Sequence, residues 1–228
     1  MNNYSEQELA LGRTVIETCL DLERRGLNQG TSGNVSVRLS ANPDDGFLIT
    51  PTALSYDVMQ PEDIAHMRLD GSRTGRRPPS SEWRFHLDIL RTRPEVGAII
   101  HTHSGYSTTL ACLRREIPAF HYMVALFGGN SIRCSDYATY GTQELSAALL
   151  KALEGRGAAL MGNHGLIVLG ATLQRALSLT VEAETLATMY WRAIQVKEPF
   201  LLSDEEIERV RAKFSTYGTY GAGQPPAG

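Results

Sequence analysis

Two apolar stretches constrain this chain most. Residues 96–100 run without a charge into His101-Thr102-His103, apart from the glycine at 97. Residues 158–161 and 166–169 meet at Gly162-Asn163-His164-Gly165. Apolar runs of this length, bounded by turn formers, predict strands, since a buried helix needs about 10–12 residues. Each system turns polar at one end, and a histidine stands there. Such strands must be covered by other elements, which calls for a layered α/β or α+β domain.

The other elements are legible too. Ser5 and Glu8 have capping-box spacing ahead of Leu9, Ile16, Leu20 and Leu27, and Gly26 is the stop. Residues 28–34 (NQGTSGN) form a glycine-rich loop. Val35, Val37 and Leu39 alternate with polar residues, a turn follows over 42–46, and Phe47-Leu48-Ile49 returns, which predicts a hairpin ended by Pro51. Pro61 predicts a short helix and Asp70-Gly71 a turn. Trp83, Leu87 and Leu90 predict a helix after Pro78-Pro79-Ser80-Ser81. Further helices are predicted over 106–115, from Thr142 to Leu153, and from Thr172, the longest, with Leu173, Leu177 and Val181 on one stripe. Ser203 and Glu206 have the spacing of a second capping box. Residues 118–127 are read as strand. Residues 1–228 are read as a single domain, with a frayed or partner-bound Gly/Pro-rich tail over 218–228.

Composition excludes several functions. The 228 residues carry 22 basic and 25 acidic side chains, a net charge of −3, which gives no reason to expect a nucleic-acid partner. No apolar run nears the ~20 residues that cross a bilayer, and no membrane association is expected. The first residues lack the basic start and apolar stretch of a secretion signal. Cys19, Cys112 and Cys134 are odd in number and widely spaced, which fits a reducing cytoplasm rather than a disulfide framework or a thiolate zinc site.

Side chains at i and i+2 of a strand share a face, so His101 and His103 can hold one metal ion between them. Two unrelated polar histidines at a strand exit are the alternative. His164, at a tight turn between two apolar strands, supplies a third neutral nitrogen, and three protein ligands with an open position is the pattern of catalytic zinc. Glu82 offers a fourth ligand or a base, or simply a helix N-terminal charge. Ser80 and Ser81 precede a predicted helix, where free N–H groups favour anions. Asn34 and Thr52 add neutral donors. Taken singly, each of these is more often turn or cap chemistry.

The blocks GLNQGTSGNVSVR (26–38), LITPTALSYD (48–57), PPSSEWRFH (78–86), HTH (101–103), IPAFHYM (117–123), GGNSIRC (128–134), NHGLI (163–167) and LSDEEI…KFSTYG (202–218) together resemble the class II aldolase/adducin family over nearly the whole chain. The flanking blocks point to its fuculose-phosphate branch. The resemblance implies a three-layer α/β/α fold on a mixed, largely antiparallel sheet, and a homotetramer with active sites between subunits. It implies zinc, with manganese or cobalt as substitutes, on Glu82, His101, His103 and His164. It implies phosphate binding at Asn34, Thr52, Ser80 and Ser81. It gives Glu82 and Tyr122 catalytic roles, and gives Tyr217 a role in the adjacent subunit's site. The implied reaction is reversible cleavage of a ketose 1-phosphate to dihydroxyacetone phosphate and an aldehyde. L-fuculose 1-phosphate, 5-deoxyribulose 1-phosphate and 5-(methylthio)ribulose 1-phosphate are the candidate substrates.

Two competitors share the scaffold. Pentulose-phosphate 4-epimerases and methylthioribulose-phosphate dehydratases keep the histidine cluster but differ from the Tyr122 and SSEW context. A noncatalytic adducin-like domain would lack the metal ligands. A Schiff-base mechanism would need a pocket lysine, and Lys151, Lys197 and Lys213 all fall in or near predicted helices. Ala53 departs from the family, whose loop has glycine after TPT.

Overall fold

The computed structural model describes residues 4–216; Tyr217 and the 218–228 tail lie outside the described residues. The Ser5 capping box is formed reciprocally with Glu8 and starts α1 (Glu6–Arg24). Gly26 then takes φ +68°, the left-handed conformation that ends the helix. The glycine-rich loop leads into β1 (Asn34–Arg38), which pairs antiparallel with β2 (Phe47–Ile49) as the predicted hairpin, Val37 opposite Leu48. Two short strands not foreseen from the sequence, β3 (Ala65–Met67) and β4 (Arg73–Thr74), extend that edge.

Next come α2 (Trp83–Thr92), β5 (Ala98–Thr102) and α3 (Gly105–Cys112). The following segment corrects the strand expected over 118–127. Only Ile117–Pro118 is extended, as β6, against β7 (Ser131–Cys134). Tyr122–Phe127 winds into a 3-10 helix. Phe120 N–H already turns back to the Pro118 carbonyl at 2.7 Å, and His121 Nδ1 accepts from Met123 N–H. Gly128, at φ +92°, closes the helix. The apolar residues there bury one side of a turn and not one face of a pleat: Val124, Ala125 and Phe127 are inside and Tyr122 is half exposed.

Thr142 and Thr172 cap α4 (Gln143–Ala152) and α5 (Leu173–Ile194) through their hydroxyls, as their positions demanded. Between these helices lie β8 (Ala158–Met161) and β9 (Gly165–Gly170). At α6 (Asp204–Thr216) Ser203 Oγ accepts from Glu206 N–H.

Among the described residues the nine strands form one sheet in the order β4-β3-β2-β1-β5-β9-β8-β7-β6. Every pair is antiparallel except β7 with β8. The central strands are buried on both sides. Ile99, Ile167 and Leu169 pack with Phe85, Ile89 and Leu90 of α2 and Leu145 and Leu149 of α4. Ala98 and Ile100 pack with Val15 and Leu22 of α1 and Leu173 and Leu177 of α5. Leu166 and Val168 pack with Leu110 of α3 and with Leu179 and Leu186 of α5. Alternation along each strand therefore feeds two cores, which gives three layers, α/β/α.

Candidate active site and metal centre

The alternation that builds the core also aims the histidines. His101 follows Ile99 by two residues, so it faces the α2 layer, where its ring meets Phe85 edge-on with centroids 5.8 Å apart. His164 sits in the β8–β9 turn, and β9 lies beside β5, with His101 opposite Ile167. That pairing brings sequence-distant imidazoles together. The three ring pairs among His101, His103 and His164 all have centroids 4.9 Å apart. One nitrogen from each lies within 4.8 Å of the others.

Two local features permit the approach. A Cβ on Gly165 would meet the Thr102 carbonyl at 2.5 Å and the His101 ring at 3.2 Å, so only glycine can follow His164. Asn163, before it, takes φ +54° and is held by Arg114 Nε on its Oδ1. Beyond β5, Glu184 of α5 accepts hydrogen bonds from the Ser104 and Ser107 hydroxyls and from Tyr106 and Ser107 N–H, which anchors the start of α3.

Glu82 sits at the N-cap position of α2 but makes no cap bond. Its carboxylate turns inward, with a side chain only 7% exposed, 3.3 Å from His101 Nε2 and 3.4 Å from His164 Nε2. The reading of Glu82 as a mere helix-terminus charge is thereby set aside. Burial opposes its ionisation, but attraction and hydrogen bonding from His101, with His164 and Asn34 added, hold the carboxyl down to about 2. His101 donates from Nδ1 to the Leu166 carbonyl at 2.9 Å, which fixes its ring with Nε2 turned toward the cluster. Burial, and repulsion from neighbouring imidazoles, push His103 and His164 down to about 4. They are neutral at pH 7, as ligands must be.

This donor set fits a divalent ion. His101 and His103 bring their Nε2 atoms within 3.1 Å, and among the described residues the buried Glu82 Oε1 has no hydrogen-bond partner. Nitrogens turned together beside an orphaned carboxylate oxygen describe a place for a cation.

Acid should undo this arrangement. His103 and His164 have pKa values near 4 against an ordinary 6.5, so the unfolded chain takes up their protons first. The stability they leave intact above pH 6.5 is lost as pH falls toward 4. The thermal midpoint of metal-free protein should drop across that window. A midpoint constant from pH 7 to 4 would contradict buried, neutral imidazoles.

The histidines open onto a cavity of about 340 Å³ lined by Ser32, Ser81, Glu82, His103, Tyr137, Ala138, Tyr140, Asn163 and His164. Ser81 also borders a second cavity, about 540 Å³, together with Thr52, Pro79, Arg73 and Trp83. Ser80 is buried and lines neither cavity, with its Oγ accepting from Glu82 N–H. Asn34 lies behind Glu82, and its Nδ2 donates to Glu82 Oε2 at 2.9 Å. Ala53, beside Thr52, takes φ +53°, a conformation that favours glycine.

Tyr122 does not line either cavity. It is 49% exposed, beside His121 and with its ring 6.2 Å from that of Phe214 on α6. Tyr217 lies outside the described residues. Sequence patterns did not point to Tyr137 and Tyr140, which sit in an irregular loop without periodicity, nor to His86 as a partner of the site. No lysine lines the histidine cavity; Lys151 borders a separate one with Cys134 and Glu154.

Residues 13–191 match the family described as Class II Aldolase and Adducin N-terminal domain. The chain belongs to this family, and within it to the aldolases. The 5-methylthioribulose-1-phosphate/5-deoxyribulose-1-phosphate aldolase of Rhodospirillum rubrum is 52% identical over 210 residues, which is 92% of this chain and 93% of that one. L-fuculose phosphate aldolase of Escherichia coli K12 is 46% identical over 209 residues, 91% of this chain and 95% of that one. A solved structure of L-fuculose 1-phosphate aldolase matches with a TM-score of 0.87 and 38% identity, covering 93% of this chain and 98% of that chain.

Proposed function

We propose that this aldolase cleaves a ketose 1-phosphate reversibly to dihydroxyacetone phosphate and an aldehyde, with one zinc ion per chain. The observation that carries this reading is the buried Glu82 carboxylate, with one oxygen free of hydrogen bonds, beside a cluster of three imidazoles on a hydroxyl-lined cavity. A bound divalent ion supplies a Lewis acid for a carbonyl oxygen and its developing negative charge, and manganese or cobalt could substitute.

The chain's own groups do the rest. Thr52, Ser80 and Ser81 offer hydroxyls for the phosphate. Asn34 has a second N–H on the nitrogen that already donates to Glu82, so one amide can bridge the phosphate and the carboxylate. This grip fixes the dihydroxyacetone half and aligns the bond to be broken. Glu82 Oε1 is placed to move the proton on carbon. The far wall, with Tyr137, Ala138 and Tyr140, suits an aldehyde that ends in a methyl or thioether group, which the three candidate sugars all provide. A lysine-based Schiff base has no group in this cavity.

Tyr122 and Tyr217 complete the site from an adjacent copy in a homotetramer. In support, Tyr122 is exposed and lines neither cavity of its own chain, with its ring beside that of Phe214 on α6. Val196, Phe200 and Leu201 are 85%, 86% and 59% exposed between α5 and α6, a patch that favours association. Mixing inactive Glu82→Gln and Tyr217→Phe proteins under subunit exchange should restore activity. No recovery after verified exchange would place Tyr217 in its own chain's site. A cytoplasmic setting accords with three free cysteines, and no described helix is long and apolar enough to cross a membrane.

The decisive experiment incubates metal-loaded protein with the three ketose 1-phosphates and assays dihydroxyacetone phosphate. Release from at least one, abolished by chelator, is expected. A product with an inverted centre or a lost water would favour the epimerase or dehydratase reading instead.

A further inference from the structure

Behind Glu82 runs a hydrogen-bonded chain whose far members, Ser36 and His86, the reaction above does not use. Ser36 on β1 and His86 on α2 are both 0% exposed. Ser36 Oγ lies 2.7 Å from His86 Nδ1, and His86 Nε2 lies 2.5 Å from Asn34 Oδ1. Asn34 Nδ2 in turn reaches Glu82 Oε2 at 2.9 Å.

The sense of this chain is set at the glutamate. A carboxylate can only accept, so Asn34 must turn its NH2 toward Glu82 and its Oδ1 away. Oδ1 also only accepts, so His86 must carry its proton on Nε2. Nδ1 is then the acceptor, and the Ser36 hydroxyl must donate to it. The reverse sense would set Asn34 Oδ1 against the carboxylate, lone pair on lone pair. The His86 Nε2–H behind it grips the other end of the amide and reinforces the orientation that the carboxylate dictates.

We infer that His86 and Ser36 are positioning residues: they lock the Asn34 amide, which pins Glu82 Oε2 at 3.3 Å from His101 Nε2 and leaves Oε1, 3.4 Å from His164 Nε2, free of hydrogen bonds. The orphaned Oε1 is the expected outcome of such a division between the two oxygens. The inference rests on the metal-dependent reading of the site. The competing explanation is that His86 merely fills core volume, stacked on Phe85 with centroids 4.6 Å apart.

Three variants separate these explanations. His86→Phe keeps the ring and loses the donor. His86→Gln places an amide N–H near the former Nε2. Ser36→Ala removes only the hydroxyl. Each is loaded with Co2+ for its visible absorption spectrum, titrated against a chelator for Zn2+ affinity, and assayed for kcat and KM, with the metal-free thermal midpoint recorded. Groups behind metal ligands typically contribute about 10–100-fold to affinity or activity. His86→Phe should lose kcat and metal affinity on that scale, with an altered Co2+ spectrum and little change in KM. His86→Gln should recover most of the loss, and Ser36→Ala should show a smaller loss of the same kind. The inference is overturned if His86→Phe keeps the wild-type spectrum, affinity and kcat, or if His86→Gln is as impaired as His86→Phe. Should His86→Phe not fold, Ser36→Ala decides: a shifted Co2+ spectrum supports the inference and an unchanged one overturns it. A wild-type protein that binds no Co2+ would instead defeat the metal reading itself.

Discussion

His103→Ala should yield a folded protein that has lost its metal and nearly all its activity. His103 is half-buried and lines the cavity, so truncation opens the cavity further and leaves no sealed void in either core. Its backbone lies just past β5, whose ladder to β9 is unaffected. The site would keep two imidazoles and one carboxylate, with one donor fewer around the ion. Changes one step behind a metal ligand already cost about 10–100-fold, so loss of the ligand itself should exceed ~100-fold in affinity. Elemental analysis of protein purified without chelator should find near-stoichiometric metal in the wild type and little in the variant, with far-ultraviolet circular dichroism unchanged. Full metal content in His103→Ala would remove this histidine from the centre.

Glu82→Gln should do the opposite, keeping most of the metal while losing turnover. The hydrogen-bond chain behind the residue dictates how the new amide sits. Asn34 presents an N–H, so the amide oxygen must take the place of Oε2 and the NH2 must take the place of Oε1. The substitution therefore changes the one oxygen left free for chemistry. It replaces an acceptor held ionised, with its carboxyl near 2, by a neutral donor. Three imidazoles still hold the ion. General acid–base groups contribute about 10²–10⁴-fold, and a kcat loss of that size is expected with KM altered far less. Metal-replete Glu82→Gln protein turning over at the wild-type rate would take Glu82 out of the proton transfer.

The parts of this architecture set by local pattern were legible. The Ser5 box, the β1–β2 hairpin and the Thr142 and Thr172 caps each depend on residues within a few positions of one another. The histidines were legible because strand spacing and a tight turn restrict where a side chain can point. Residues 118–127 misled because a short apolar run satisfies either a pleat or a tight helix, and His121 and Gly128 decided between them through local hydrogen bonding and a left-handed backbone. The network through residues 34, 36, 82 and 86 is assembled only when α2 packs on β1, and no linear spacing announces it. Tyr137 and Tyr140 were hidden for a related reason: the loop that carries them has no period to read.

That loop has a further consequence. The proposed metal-binding and proton-transfer groups ride on or beside the sheet ladder and the start of α2, where a shift of one residue would turn strand side chains to the wrong face. The proposed aldehyde wall rides on the connection between β7 and α4, a loop whose change would disturb no ladder. Chemistry and selectivity are thus inherited on separate mechanical parts. A lineage of such enzymes can exchange one sugar tail for another by rewriting a handful of loop residues, while the catalytic floor descends unaltered.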